Sequence, residues 1–106
     1  MNDSQFHHLA DQLFLFLEDT FEDGEDDIEC EASGNVLTLE FENRSQIVIN
    51  RQEPLHEIWV ASKSGGYHFK YHQEKHVWLC TRSGAELMTL LKKECEVQSG
   101  KALNWA

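Results

Sequence analysis

No lysine or arginine occurs before Arg44. Residues 1–43 hold thirteen carboxylates and no basic side chain, and residues 44–106 hold six acids and nine bases; the two stretches carry −13 and +3 of the net −10. A chain so negative repels phosphates, which excludes nucleic acid and membrane surfaces as partners and favours cations and basic protein surfaces. The basic residues that open a signal peptide are missing too, so the expected location is the cytoplasm. Proline occurs once, at Pro54, and cysteine three times, at Cys30, Cys80 and Cys95, with no C-x-x-C pair. An odd count at those spacings points away from a disulfide framework or a zinc site and toward reduced thiols. No apolar run approaches the roughly 20 residues needed to cross a bilayer. Internal repeats and low-complexity linkers are absent.

What is there suits one domain over residues 1–106, with 41% hydrophobic residues and eleven aromatics for a core. Asn2 and Gln5 have the spacing of a helix-capping box. Phe6, Leu9, Ala10, Leu13, Phe16 or Leu17, and Phe21 then recur at helical spacing, predicting a first helix of about 18 residues. Its polar side carries Asp3, His7, Asp11, Glu18 and Glu22 in one stripe, with Asp19 and Asp23 alongside and Leu15 out of place among them. Gly24 is the expected helix end. Alternation follows: Ile28, Cys30 and Ala32 inward, a turn at 33–35, then Leu37, Leu39 and Phe41, a turn at 42–45, and a strand over 46–50 with Ile47 and Ile49 inward. Strands are expected over 57–62, 67–71 and 77–80, with Gly65-Gly66 as a hairpin turn. Ser83 with Glu86 reads as a second capping box before Leu87, Met88, Leu91 and Cys95. That helix closes near Gly100, before an apolar end at Leu103 and Trp105. Short turns imply an antiparallel sheet of about six strands, with N- and C-terminal helices on one face: an α+β two-layer sandwich.

The chemistry concentrates in Glu18–Glu31, where nine of fourteen residues are carboxylates. On a helix, Glu18–Glu22 and Asp19–Asp23 are like-charge i,i+4 pairs, each costing about 0.2–0.5 kcal/mol. They lie where the helix dipole also disfavours anions, by about 0.3–1 kcal/mol each. A sequence shaped only for stability would place cations there, so the field itself is the expected function. Two uses follow. Hard cations such as Fe²⁺, Fe³⁺, Mn²⁺ or Co²⁺ could bridge Glu18, Asp19, Glu22, Asp23, Glu25 and Asp26, with Asp3 or His7 added, giving weak and unselective sites. Alternatively, the ridge docks on an arginine-rich surface. An EF-hand fails on spacing, because Phe21 would fall at a ligand position. Trp59, flanked by inward Ile58 and Val60, is expected on the open sheet face, forming a partner patch with Asn50, Arg51 and Gln52. His68, His72 and His76 are a weaker metal candidate. No arrangement of nucleophile and base, and no phosphate-binding loop, stands out.

The N-terminal run Met1 to Leu13, the stretch Asn50-Arg51-Gln52-Glu53-Pro54-Leu55-His56-Glu57-Ile58-Trp59, then Ser64-Gly65-Gly66-Tyr67-His68-Phe69, Trp78 and Thr81-Arg82-Ser83-Gly84 together resemble the bacterial frataxins. The resemblance covers nearly the whole chain and implies helices at both ends on one face of an antiparallel sheet. It also implies a non-enzymatic role in iron–sulfur cluster assembly, through weak iron binding and contact with a cysteine desulfurase (IscS type) beside the cluster scaffold protein (IscU type). The alternative is an iron carrier or store delivering Fe²⁺ to that scaffold; a ferroxidase would need an ordered iron site. Co²⁺ or Mn²⁺ would serve as surrogate ions. The iron-free protein is expected to be a monomer, with oligomers only under excess iron.

Overall fold

The computed structural model describes residues 1–22 and 27–102. A 19-residue helix, α1 (Asp3–Phe21), comes first. Six strands follow: β1 (Glu29–Ser33), β2 (Val36–Glu40), β3 (Gln46–Gln52), β4 (Glu57–Ser62), β5 (Gly65–His72) and β6 (Val77–Cys80). A short 3₁₀ turn, Glu53–Leu55, joins β3 to β4, and α2 (Leu87–Ser99) closes the described chain. The strands lie in sequence order and every neighbouring pair is antiparallel, so the sheet is a meander. Short turns made this the available solution, since each strand can pair with the next without a crossover.

The expected capping box is present: the Asn2 side chain accepts from the Gln5 amide at 2.8 Å and the Gln5 side chain accepts from the Asn2 amide at 3.0 Å. It fixes where α1 starts and hence which face it buries. Phe6, Ala10, Leu13, Phe14, Leu17 and Phe21 form that face, meeting Leu37, Leu39, Ile47, Ile49, Ile58, Val60 and Phe69 of the sheet and Leu87, Leu91 and Cys95 of α2 in one core. Both helices therefore cover the same sheet face, as the patterning required.

Several local expectations are corrected. Of the pair Phe16 and Leu17, Leu17 enters the core and Phe16 is 49% exposed, while Phe14 joins the core without having been expected there. Ala32 is exposed because β1 is the edge of the sheet. The β4–β5 turn is Lys63-Ser64, while Gly65 and Gly66 already pair with Ser62 and Ala61. Gly65 has φ +145°, a backbone state that favours glycine, which explains its presence without placing it in the turn. The cap of α2 is Glu86 alone, whose carboxylate accepts from the amides of Met88 at 2.7 Å and Thr89 at 3.2 Å. Ser83 Oγ instead accepts from the Ala85 amide inside the preceding turn. Gly100, at φ +74°, ends α2 as expected. Gly24, Leu103 and Trp105 lie outside the described residues.

Candidate functional site: the acidic end of the first helix

The register set by the Asn2 cap carries Glu18, Asp19 and Glu22 to the C-terminal end of α1, beside edge strand β1. An open groove of about 760 Å³ lies there, lined by these three acids together with Glu29 and Glu31 of β1, Glu40 of β2, and Cys30 among others. No basic residue lines it. Among the described residues no ion pair reaches Glu18, Asp19, Glu22, Glu29 or Glu31. Glu40 accepts a neutral amide hydrogen, from Gln46 at 3.1 Å. The field is felt locally: burial first, and then the Glu18 charge, push the Cys30 thiol from 9.0 up to about 11. Glu29, Glu31 and Glu40 were not among the expected site residues. Their alternation along two strands was legible, but their approach to α1 depends on the β1–β2 pairing.

Two cations, Arg44 and Lys101, stand next to the groove without lining it, and Arg44 borders the adjoining pocket with Asp27, Glu29, Glu40 and Glu42. Lys101 Nζ lies 3.2 Å from both Asp27 Oδ2 and Glu42 Oε1, tying the chain after α2 to the acidic connection. Contact with Glu42, and then the Lys101 ammonium, hold Asp27 below the ordinary carboxylate value, and the same two carboxylates raise Lys101.

Expected ligands at the other end of α1 are not brought to this site. At 1.5 Å per residue, His7 lies roughly 16 Å and Asp3 roughly 22 Å from Glu18 along the axis. Each has its own partner: Asp3 Oδ1 is 2.7 Å from His56 Nε2, and His7 Nε2 is 3.7 Å from Glu53 Oε2. One ion cannot bridge both ends, so Asp3 and His7 are removed from a shared site with Glu18. Asp23, Glu25 and Asp26 lie outside the described residues. Among the described residues no group of three or more His, Cys, Asp or Glu side chains is gathered closely enough to hold one ion. The donors present at the ridge are hard carboxylate oxygens, which match iron and its surrogates in type while forming no closed cage.

The second expected patch is divided by the sheet. Trp59 is on the open face, half-buried, with its ring stacked on His68 at 4.1 Å and 7° and its Nε1 donating to Glu57 Oε1 at 2.8 Å. Asn50 pairs with Trp59 and Gln52 with Glu57 across β3–β4, so both asparagine and glutamine belong to this face. Lys70 and His68 flank Glu57 at 3.9 and 3.7 Å. Arg51 points the other way. Its guanidinium lies 4.3 Å over the Phe14 ring and donates to Asp11 at 2.6 Å, pinning β3 to α1. β3 runs on to Gln52, and alternation from Ile47 and Ile49 then turns residue 51 toward the helices. Glu57, His68 and Lys70 were missed because only the β4–β5 register sets them around Trp59. The histidines do not converge: His68 stacks on Trp59, while His72 Nδ1 accepts from the Lys75 amide.

Comparison with known proteins places this geometry in a family. The frataxin-like domain matches residues 1–101. The chain belongs to the frataxin family. An iron-sulfur cluster assembly protein CyaY of Photobacterium profundum is 58% identical over 106 residues, spanning 100% of this chain and 99% of its own. The protein of the same name from Vibrio parahaemolyticus is 54% identical over the full length of both. Among solved structures, frataxin from Psychromonas ingrahamii superposes with TM-score 0.90 at 40% identity, covering 100% of this chain and 99% of that one. A trimeric yeast frataxin from Saccharomyces cerevisiae, complexed with ferrous iron, superposes with TM-score 0.75 at 33% identity, covering 88% and 87%. The relatives share the two-layer fold expected from the sequence. Among the described residues no helix is long and apolar enough to cross a membrane.

Proposed function

We propose that this chain is an accessory protein of iron–sulfur cluster assembly, which docks on and modulates a cysteine desulfurase through the acidic end of α1. The carrying observation is the groove whose lining includes six carboxylates and no basic residue. Such a surface opposes folding slightly and attracts a basic partner strongly, speeding encounter and fixing orientation. The open-face patch of Asn50, Gln52, Glu57 and Trp59 offers a second contact, for the scaffold protein that receives sulfur. Membership of a family whose relatives carry the cluster-assembly name supports the reading. The test replaces Glu18, Asp19 and Glu22 by their amides, which removes charge at constant size. Binding to purified desulfurase without iron is expected to associate more slowly and to lose its salt dependence. Undiminished association by the amide variant rejects electrostatic docking.

A second reading makes iron a cargo, carried loosely on the same oxygens and delivered to the scaffold. The hard-donor ridge and the yeast relative complexed with ferrous iron favour it. Titration with Co²⁺ or Mn²⁺ is expected to broaden resonances first at Glu18, Asp19 and Glu22, and at Asp23, Glu25 and Asp26 nearby in sequence. Broadening centred on His68, His72 and His76 would reject an oxygen-ligated cargo.

A further inference from the structure

Leu15 and Phe16 contradict the polarity of the helix that carries them. Both lie outside the core, Leu15 at 60% and Phe16 at 49% exposure. Single exposed apolar residues are common and need no explanation. These two are adjacent, large, and set on the most charged face of the molecule. At about 100° per residue, Leu15 projects within about 60° of Asp11, Glu18, Asp19 and Glu22, near the middle of the acidic stripe. Phe16 lies on the flank next to Asp19, toward the half-buried Leu9. Neither side chain is needed for the fold, whose α1 face is completed by Phe6, Ala10, Leu13, Phe14, Leu17 and Phe21.

We infer that Leu15 and Phe16 are the apolar anchor of the acidic docking surface, fitting a protein surface that offers an apolar slot ringed by arginine or lysine. The inference rests on the docking function proposed above and names the residues that hold the complex once charge has formed it. Charge pairs at an exposed rim govern the association rate, whereas buried apolar contacts at the centre govern dissociation. The charge of the surroundings selects the occupant. A second copy of this chain, meeting the first through the same face, would set each acidic stripe against its twin at −10 per chain. A basic partner brings the complementary charge and dries the leucine and phenylalanine together.

The test compares four proteins against purified cysteine desulfurase in the absence of iron: the parent, L15Q with F16Q, L15M with F16M, and the Glu18→Gln, Asp19→Asn, Glu22→Gln variant. The glutamine pair is expected to keep the parent's association rate and salt dependence while dissociating about tenfold faster or more. The methionine pair, still apolar, is expected to restore slow dissociation. The amide variant is expected to behave in the opposite way, with slowed association. Unchanged dissociation of the glutamine pair, alongside slowed association of the amide variant, overturns the anchor and leaves docking intact. Parent-like kinetics in both overturns docking itself. Sedimentation velocity of each free protein closes the alternative: a parent dimer that L15Q with F16Q makes monomeric would assign the pair to contacts between copies and overturn the inference.

Discussion

Cys30 and Cys80 experience opposite surroundings, and this is where residue chemistry is most open to measurement. Cys30 sits at the groove edge, where burial and the Glu18 charge oppose the thiolate and move its titration to about 11. Burial pushes Cys80 upward as well, but hydrogen bonds from Ser83, the backbone of Ser83 and Arg82, and the Arg82 charge outweigh it, leaving the thiol below 9.0. A thiol raised on folding favours the native state fully below its ordinary value, and that advantage fades as pH climbs from 9.0 toward about 11. Peptide-resolved alkylation over a pH series is expected to give midpoints on opposite sides of 9.0 for the two residues, and amidation of Glu18 should lower the Cys30 midpoint alone. A Cys30 midpoint unmoved by amidation of Glu18 would show that the acidic field does not reach β1. Trp59 supplies the other residue-scale expectation. Its Nε1 holds Glu57, and its ring covers His68. If the open face binds a partner, Trp59→Ala should cost about 2 kcal/mol in affinity, read as faster dissociation. An unaltered dissociation rate would leave Trp59 as a local clamp on Glu57.

At the scale of elements, α1 combines a well-made start with an ill-made end. Removing the cap with Asn2→Ala is expected to cost about 1 kcal/mol in chemical denaturation. Reversing charge at the other end, with Glu18→Lys and Glu22→Lys, should stabilise the free protein by about 1 kcal/mol, because two cations suit the helix dipole and face the remaining carboxylates of the groove, Asp19, Glu29, Glu31 and Glu40. A destabilised reversal variant would mean that the acids are locally satisfied. The tie from Lys101 to Asp27 and Glu42 has its own pH window. Asp27's depressed titration gives stability present above 3.8 and lost as pH falls through the lower folded value, while Lys101's raised one gives stability present below 10.5 and lost as pH rises through the higher folded value. Lys101→Ala should therefore melt earlier than the parent at neutral pH, with the difference fading at both extremes.

These elements also mark how far the sequence could be read. The cap at Asn2, the meander order and the inward residues of β2 and β3 follow from local spacing and short turns, which act within a few residues. The capping role of Ser83 did not survive because Glu86 stands immediately before α2 and reaches two amides itself. Ending β3 at Asn50 puts Arg51 on the wrong face; two more residues of alternation take it to Asp11. The acidic ridge was legible as composition, since carboxylates so dense in one segment must share a surface. Lys101 was not, because its partner Asp27 is 74 residues away and only the folded chain joins them.

The whole molecule is a charge-separated body, with its uncompensated acids gathered where α1 meets the edge of the sheet and its bases spread over the second part of the chain. Self-repulsion at that end is relieved by anything that screens or bridges the carboxylates. Thermal melts should rise with sodium chloride at neutral pH, and a divalent cation at matched ionic strength should raise them further if carboxylates share the ion. The amide variant of Glu18, Asp19 and Glu22 separates the contributions: its melting temperature should start above the parent's and respond less to either salt. A surviving divalent effect in the amide variant would place the ion on carboxylates other than these three, Glu29, Glu31 and Glu40 of the groove among them. A parent whose melting temperature stays flat or falls across the series would show that the ridge is not strained, and its placement would then no longer need a partner to account for it.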